Sequence, residues 1–173
     1  ENTLPTQFAD SGQLYLRPDN PTQTVYYTIQ SQMDILRLAV LLQANPEIID
    51  ALGFTPTNSS IYYLGVSLGG IIGSNLAATG TFPASKYLLN VPGGGLADII
   101  LNGAFGDTIK AKVAASYGYD TSTASGLADL NSTITAVELS TTHAIFSGSV
   151  DPLNTGNRSN PSQVLVQQII GDT

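Results

Sequence analysis

The sequence contains no cysteine and only one histidine, His143. Without thiols the chain can form no disulfide, no thiolate metal site and no cysteine nucleophile. Any imidazole that acts as a base from within these 173 residues must therefore be that of His143. The acidic side chains form no paired-carboxylate or metal-ligand pattern, so we expect neither a metal nor a cofactor.

Charge is also scarce, and most of it has one sign. Only 11% of the residues are charged, against roughly 25% in an average domain. Six basic and thirteen acidic residues give a formal net charge of -7 and an isoelectric point near 4.2. This balance excludes nucleic acids and anionic membrane surfaces as partners bound by charge. No apolar run approaches the roughly 18 residues of a membrane span.

Hydrophobic residues, by contrast, make up 42% of the chain, which is enough to bury a real core. The length fits one domain or a piece of a larger one. Hydrophobic periodicity predicts a long helix that starts at Pro21, behind Asn20 as N-cap, and runs to about Gln43. Its apolar stripe consists of Val25, Ile29, Met33, Leu36 and Val40.

Short runs of β-branched and aromatic residues predict three buried strands, at residues 61–64, 87–91 and 164–170. A helix that includes Ile71 and ends at Gly80 is predicted between the first two strands, which gives a parallel βαβ unit. The order of helices and strands therefore predicts an α/β fold with a parallel sheet and flanking helices.

The chain divides into three segments on this interpretation. Residues 1–95 form the core with its first two strands. Residues 96–150 are predicted to be mostly helical, interrupted by glycines, and form a helical cap or lid inserted between sheet strands. Residues 151–173 return to the core with the third strand.

Residues 65–69 (GVSLG) fit the pattern G-x-S-x-G, directly after a strand and directly before a helix. This is the placement that a nucleophile elbow requires, because a tight strand-to-helix turn lifts the serine hydroxyl clear of the sheet. We expect a Cβ to be too large both at Gly65 and at Gly69. The amide of Leu68 would then point at a developing oxyanion from a helix N-terminus. The pattern predicts Ser67 as a nucleophile.

The elbow resembles that of bacterial extracellular lipases in the α/β-hydrolase superfamily. The similarity lies in residues 63–73 (YLGVSLGGIIG) and extends to residues 10–12 (DSG), 17–20 (RPDN), 91–95 (VPGGG) and 164–173 (VLVQQIIGDT). It covers most of the chain, with residues 96–150 matching only loosely. One departure is Val66, where related lipases often carry histidine. That position shapes the pocket wall and leaves the nucleophile in place.

The resemblance implies a partial α/β-hydrolase fold whose catalytic residues follow in the order nucleophile, acid, histidine. Ser67 is the nucleophile, the amide of Leu68 belongs to the oxyanion hole, and Asp172 lies in the place of the acid. Asp151 is a second candidate for the acid, because residues 146–153 (FSGSVDPL) also resemble a strand end with an acid and a proline. The stronger β pattern of the run before Asp172 favours Asp172.

The resemblance further implies that the family's histidine follows one more strand, after Asp172, and that early strands and a second oxyanion amide precede Glu1. We therefore expect this chain to be a fragment, or one polypeptide of a cleaved enzyme. Its partners would be an ester or lipid substrate and the remaining segments of the same enzyme. The strand at residues 61–64 should be central and buried on both faces. In this chain one of its edges should be exposed or filled by a second polypeptide.

His143 is the alternative base. It could act if the acid came earlier in the chain, as Asp120 or Asp129. Residues 137–145 (VELSTTHAI) are typical of a helix, however, whereas a catalytic histidine in this fold lies on a loop at the carboxyl edge of the sheet. We expect His143 to be a helix or lid histidine.

The sequence thus predicts a secreted bacterial serine hydrolase that cleaves carboxylic esters, of lipase or carboxylesterase type. The alternatives are a non-catalytic α/β binding module and a thioesterase or peptidase on the same scaffold. Apolar residues of the insertion would either face the acyl chain or form the core of the cap. They are Leu96, Ile99, Ile100, Leu101 and Phe105.

Overall fold

The computed structural model describes residue 15 and residues 21–53, 60–103, 106–147, 150–155 and 159–168. The chain falls into two compact units. We call Thr28–Gly94 with Val150–Thr173 the sheet unit, and Glu1–Tyr27 with Gly95–Ser149 the helical unit.

The sheet unit contains three strands, β1 (Ile61–Val66), β2 (Ala84–Asn90) and β3 (Val164–Gln167). They pair in parallel in the order β1-β2-β3. Helix α3 (Leu68–Thr79) connects β1 to β2 and ends at Gly80, whose φ of 64° is readily adopted only by glycine. The predicted α/β fold with a parallel sheet and flanking helices is therefore confirmed.

Helices cover one face of this sheet. Helix α1 (Pro21–Ala44) begins at the predicted proline, and α2 (Pro46–Ala51) follows it. The part of α1 within the sheet unit places Ala39 in one core cluster with residues of α3 and β2. In this cluster Leu89 is 1% exposed, and burial raises the pKa of the Tyr87 hydroxyl. The described core members are Ala39, Ile72, Leu76, Ala77, Phe82, Ala84, Tyr87 and Leu89.

The opposite face of the sheet is open in the part of the chain that the structure describes. Tyr62 and Leu64 of β1 are 69% and 68% exposed, and Leu165 of β3 is also exposed. In the same described residues β1 pairs only with β2, so its other edge is unpaired. Whether a second polypeptide fills this edge stays a prediction. The prediction that β1 is buried on both faces is wrong for the part of the chain that the structure describes, because its helices pack on one face of the strand and leave Tyr62 and Leu64 exposed on the other.

The helical unit consists of α4 (Leu96–Asn102), α5 (Gly106–Tyr117) and α6 (Ala124–Ser147), together with the start of α1. The predicted interrupted helices are confirmed. Among the candidate acyl-facing residues, Leu96, Ile100 and Leu101 are buried and Ile99 is 37% exposed, whereas Phe105 lies outside the described residues. The three buried residues belong to the core of this unit. Its role as a lid stays a prediction.

None of the helices among the described residues is both long and apolar enough to cross a bilayer.

A buried polar cluster joins α3 to the chain where it re-enters the sheet unit. Asn75 of α3 donates from Nδ2 to the carbonyl of Val150 (2.7 Å), and its Oδ1 accepts from the hydroxyl of Thr155. Thr155 ends the short helix α7 (Pro152–Thr155). Each of these residues is at most 5% exposed, so water cannot replace the bonds.

We expect Asn75→Ala to lower the free energy of unfolding by about 1–3 kcal/mol, because it removes the donor to the buried Val150 carbonyl and leaves the buried Thr155 hydroxyl with only the carbonyl of Asp151 (3.3 Å) as acceptor. Urea unfolding measures the change as a lower midpoint at an unaltered slope. Asn102→Ala is the control, because Asn102 is exposed and its side-chain bonds, to Asp98 and from Lys110, are exposed as well. Equal midpoints for the two variants would show that the cluster contributes nothing.

Candidate active site

Ser67 lies between the last residue of β1 and the first residue of α3, and it is exposed. Its φ of 52° and ψ of -118° fall in a region that residues with a Cβ rarely adopt. Such a conformation costs on the order of 1–3 kcal/mol and persists only where the surroundings enforce it. The predicted sharp, strained strand-to-helix turn at Ser67 is confirmed.

Gly65 is required by the turn, and for the predicted reason. A Cβ at this position would lie 2.3 Å from the carbonyl oxygen of Gly69, which is backbone and cannot swing away. The same expectation for Gly69 is wrong: a Cβ there would meet no described atom within 4 Å. The constraint falls instead on Gly70, whose Cβ would lie 2.9 Å from the Cα of Pro92. The doubled glycine after Leu68 was the sequence signal for it.

Backbone hydrogen bonds fasten the turn to the neighbouring strands. The amide of Ser67 donates to the carbonyl of Asn90 at the end of β2 (3.0 Å). The amide of Val91 donates in turn to the backbone carbonyl of Gln167 at the end of β3 (2.7 Å). Ser67 therefore lies at the carboxyl edge of a sheet whose three strand ends are joined together, where ligands bind in open α/β folds.

Leu68 is the first residue of α3, as the oxyanion role requires. The ladder of this helix begins with the amide of Ile71, which donates to the carbonyl of Ser67 (3.0 Å). The amide of Leu68 therefore lies before the first intrahelical hydrogen bond, at the positive end of the helix dipole. From this position it can stabilise negative charge that develops next to Ser67.

Val91 is the second strained residue at this edge. Ser67 and Val91 are the two non-glycine residues with positive φ among those the structure describes, and Val91 has a φ of 44°. For a β-branched side chain this value is a genuine outlier. The strand therefore ends at Asn90, one residue earlier than predicted, and the chain turns through Pro92 against Gly70. Sequence reasoning missed this strain, because no sequence pattern near Val91 predicts a positive φ.

An apolar hollow lies elsewhere, on the open face of the sheet. It has a volume of about 420 Å³, and its walls include Tyr62, Leu64, Leu88 and Leu165. Ser67 is not among its lining residues. The expectation that the Ser67 hydroxyl faces a cleft therefore stays a prediction.

Asp172, the favoured acid, lies outside the described residues. Because β3 runs parallel to β1, its carboxyl end points to the edge at which Ser67 lies. Asp151 is described and is 2% exposed. Its neighbour Val150 is bonded to Asn75, which is eight residues, or about 12 Å, along α3 from Ser67. The backbone of Asp151 is thus fixed beside the second half of α3, away from the elbow.

His143 lies within α6, as predicted. Asp129 is on the same helix, fourteen residues earlier, and therefore about 21 Å away along the axis. Asp120 precedes the start of α6, and its carboxylate accepts from the amide (2.9 Å) and the hydroxyl (2.6 Å) of Ser122, which lowers its pKa. Both carboxylates therefore precede His143 by about 20 Å or more along the axis of α6.

We expect His143→Ala to leave kcat within a few-fold of the unaltered protein in a preparation that hydrolyses esters. The control is Thr142→Ala, an exposed neighbour on the same helix. Both variants would be assayed with a p-nitrophenyl ester after circular dichroism has shown intact folding. A loss of about a thousandfold in His143→Ala alone would identify His143 as the base.

Among the described residues no group of three or more histidine, aspartate or glutamate side chains could hold a metal ion. No family model, curated protein or solved structure matches the chain.

Proposed function

We propose that this chain carries the nucleophile of a serine hydrolase that cleaves carboxylic esters, of lipase or carboxylesterase type. The observation that supports the proposal is the strained backbone of Ser67 between β1 and α3. A serine has no structural need of this conformation, and glycine would adopt it at lower cost. Strain of this kind concentrates at functional sites, where it holds a reacting group in place.

In the proposed reaction the Oγ of Ser67 attacks the ester carbonyl carbon, and a histidine accepts the hydroxyl proton. The amide of Leu68 stabilises the oxyanion of the tetrahedral intermediate. The alcohol leaves with the proton from the histidine, and water then hydrolyses the acyl group from Ser67 by the reverse route. Asp172 would orient the histidine without itself becoming protonated.

We propose that this histidine comes from another segment of the same enzyme. The support is the position of His143 inside α6, about 21 Å along the helix axis from Asp129, whereas a catalytic histidine in this fold lies on a loop at the carboxyl edge of the sheet. Among the described residues one edge of β1 is unpaired and one sheet face is open, which is consistent with further segments, because parallel sheets are normally covered on both faces. The extracellular location implied by the lipase resemblance is part of the same proposal.

A fluorophosphonate probe tests the nucleophile directly, because it reacts with activated serines. We expect one adduct, located by peptide mass spectrometry at Ser67, and none at Ser85, which is an exposed serine on β2. A probe that leaves Ser67 unmodified in a preparation that contains the remaining segments would favour a binding module.

Substrate panels separate the remaining reaction classes. We expect turnover of p-nitrophenyl esters and none of matched anilides, whereas faster cleavage of amides or thioesters would assign the scaffold to a peptidase or thioesterase. Full ester turnover by the 173-residue chain alone, abolished by Ser67→Ala, would contradict the external histidine. His143 would then be the base.

A further inference from the structure

Tyr63 packs inside the elbow, four residues before the proposed nucleophile. Its hydroxyl donates a hydrogen bond of 2.7 Å to the carbonyl oxygen of Gly69. This is the same oxygen that a Cβ on Gly65 would approach to 2.3 Å. The bond therefore joins β1, before Ser67, to the first turn of α3, after it.

The ring of Tyr63 is held in this position from several sides. Its centroid lies 5.9 Å from that of Phe82, in an edge-to-face arrangement, and 5.8 Å from that of Tyr87. On the helix side the ring lies so close to Gly73 that a Cβ there would be 2.2 Å from Cε1 of Tyr63. A glycine within a helix costs about 1 kcal/mol relative to alanine. Gly73 offsets this cost by giving the ring access to the backbone of α3.

The strained conformation of Ser67 must be enforced by its surroundings, and the Tyr63 bond spans it. On the side toward β2, Ser67 is held through its amide to Asn90. Within the elbow, the Tyr63 hydroxyl fixes the first turn of α3 relative to β1. The direction of the Ser67 side chain and the position of the Leu68 amide both depend on how the first turn of α3 is placed relative to β1.

We propose that Tyr63 is a positioning residue for the proposed hydrolysis, whose hydroxyl sets the geometry between the Ser67 Oγ and the Leu68 amide. This inference rests on the proposed function. Tyr63 touches no reacting atom; it acts through the carbonyl of Gly69. Small errors in the placement of reacting groups are costly, and misplacement by about 1 Å can lower a rate by about a hundredfold.

The test is Tyr63→Phe, which keeps the ring and removes only the hydroxyl. In an ester-hydrolysing preparation that includes the remaining segments, we expect kcat for a p-nitrophenyl ester to fall about tenfold with little change in KM, and the rate of fluorophosphonate labelling to fall in parallel. The matched control is Tyr87→Phe. Tyr87 belongs to the same aromatic cluster and donates to the carbonyl of Phe82 (3.3 Å), outside the elbow. The Tyr87→Phe substitution should lower the melting temperature but leave kcat within twofold.

Equal kcat values for Tyr63→Phe and the unaltered protein, or equal losses in Tyr63→Phe and Tyr87→Phe, would overturn the positioning role. If Tyr63→Phe does not fold, Gly73→Ala displaces the same ring from the helix side, and a normal kcat in that variant overturns the role as well. Ser67→Ala separates the two proposals. Turnover that survives in Ser67→Ala refutes the proposed function and this inference together, whereas turnover lost in Ser67→Ala but normal in Tyr63→Phe refutes the inference alone.

Discussion

In a preparation that includes the remaining segments and hydrolyses esters, Ser67→Ala is expected to lower kcat/KM by about 10⁴-fold or more, because the residues of a catalytic triad act as a unit. The remaining reactivity would come from the oxyanion amide and substrate binding. Initial rates with a short-chain p-nitrophenyl ester measure the loss, and Ser85→Ala, an exposed serine on β2, is the control. A Ser67→Ala variant within tenfold of the unaltered protein would exclude Ser67 as the nucleophile.

Ser67→Gly extends this experiment to stability. Glycine adopts the observed φ of 52° without strain, which would recover on the order of 1–3 kcal/mol. Its greater freedom in the unfolded chain offsets about 0.5–1 kcal/mol of that gain. We therefore expect Ser67→Gly to be as inactive as Ser67→Ala. In urea unfolding, Ser67→Gly should be about 1 kcal/mol more stable than Ser67→Ala. If the two variants unfold at the same midpoint, the strain is not a stability cost.

Gly65→Ala should have the next largest effect, because its Cβ has no space. The clash is with the Gly69 carbonyl oxygen at 2.3 Å, so β1 or the first turn of α3 must move. Overpacking of this kind costs about 1–3 kcal/mol, and here it also displaces the two groups on either side of the proposed nucleophile. We expect a lower melting temperature together with a loss of ester hydrolysis of about a hundredfold.

Gly69→Ala is the matched control, two residues on the other side of Ser67. A Cβ there meets no described atom within 4 Å, and alanine is favoured over glycine within a helix by about 1 kcal/mol. We expect this variant to fold at least as stably as the unaltered protein and to keep its activity within a few-fold. Equal damage from both substitutions would mean that the pattern of small residues, rather than the specific approach of Gly65 to Gly69, governs the turn.

Local signals predicted the elements and the elbow, but the expectation that the apolar stripe of α1 faces the core is wrong for Ile29, Met33 and Val40, which are exposed. The apolar stripe behind Pro21, the run at residues 61–64 and the two glycines flanking Ser67 each carry their information within one turn or one strand. The α/β architecture followed from their order alone. The features that could be predicted from the sequence were therefore those fixed by neighbours along the chain.

The features that the sequence did not predict depend on residues far apart in the chain or on the direction of a single side chain. Gly70 must be small because Pro92 lies against it, and Asn75 acts through residues 150 and 155. Tyr63 was interpreted only as part of a strand, since no pattern shows that its hydroxyl reaches Gly69. The error at Gly69 has a similar origin, because spacing alone does not show which of the two glycines points its missing Cβ at backbone.

The pairing of β2 with β3 has a consequence for how the chain folds during synthesis. Asn90 ends β2 and Val164 begins β3, so more than seventy residues, including the whole span 95–149 of the helical unit, must leave the ribosome before the two strands can meet. Until then the second edge of β2 has no partner, while β1 and β2 can pair through α3 at once. Closing so long a loop is slow, and an unpaired strand edge is prone to intermolecular pairing in the meantime. The helices between these strands make local contacts, so they can form before β3 is synthesised. The pairing of β2 with β3 then forms last.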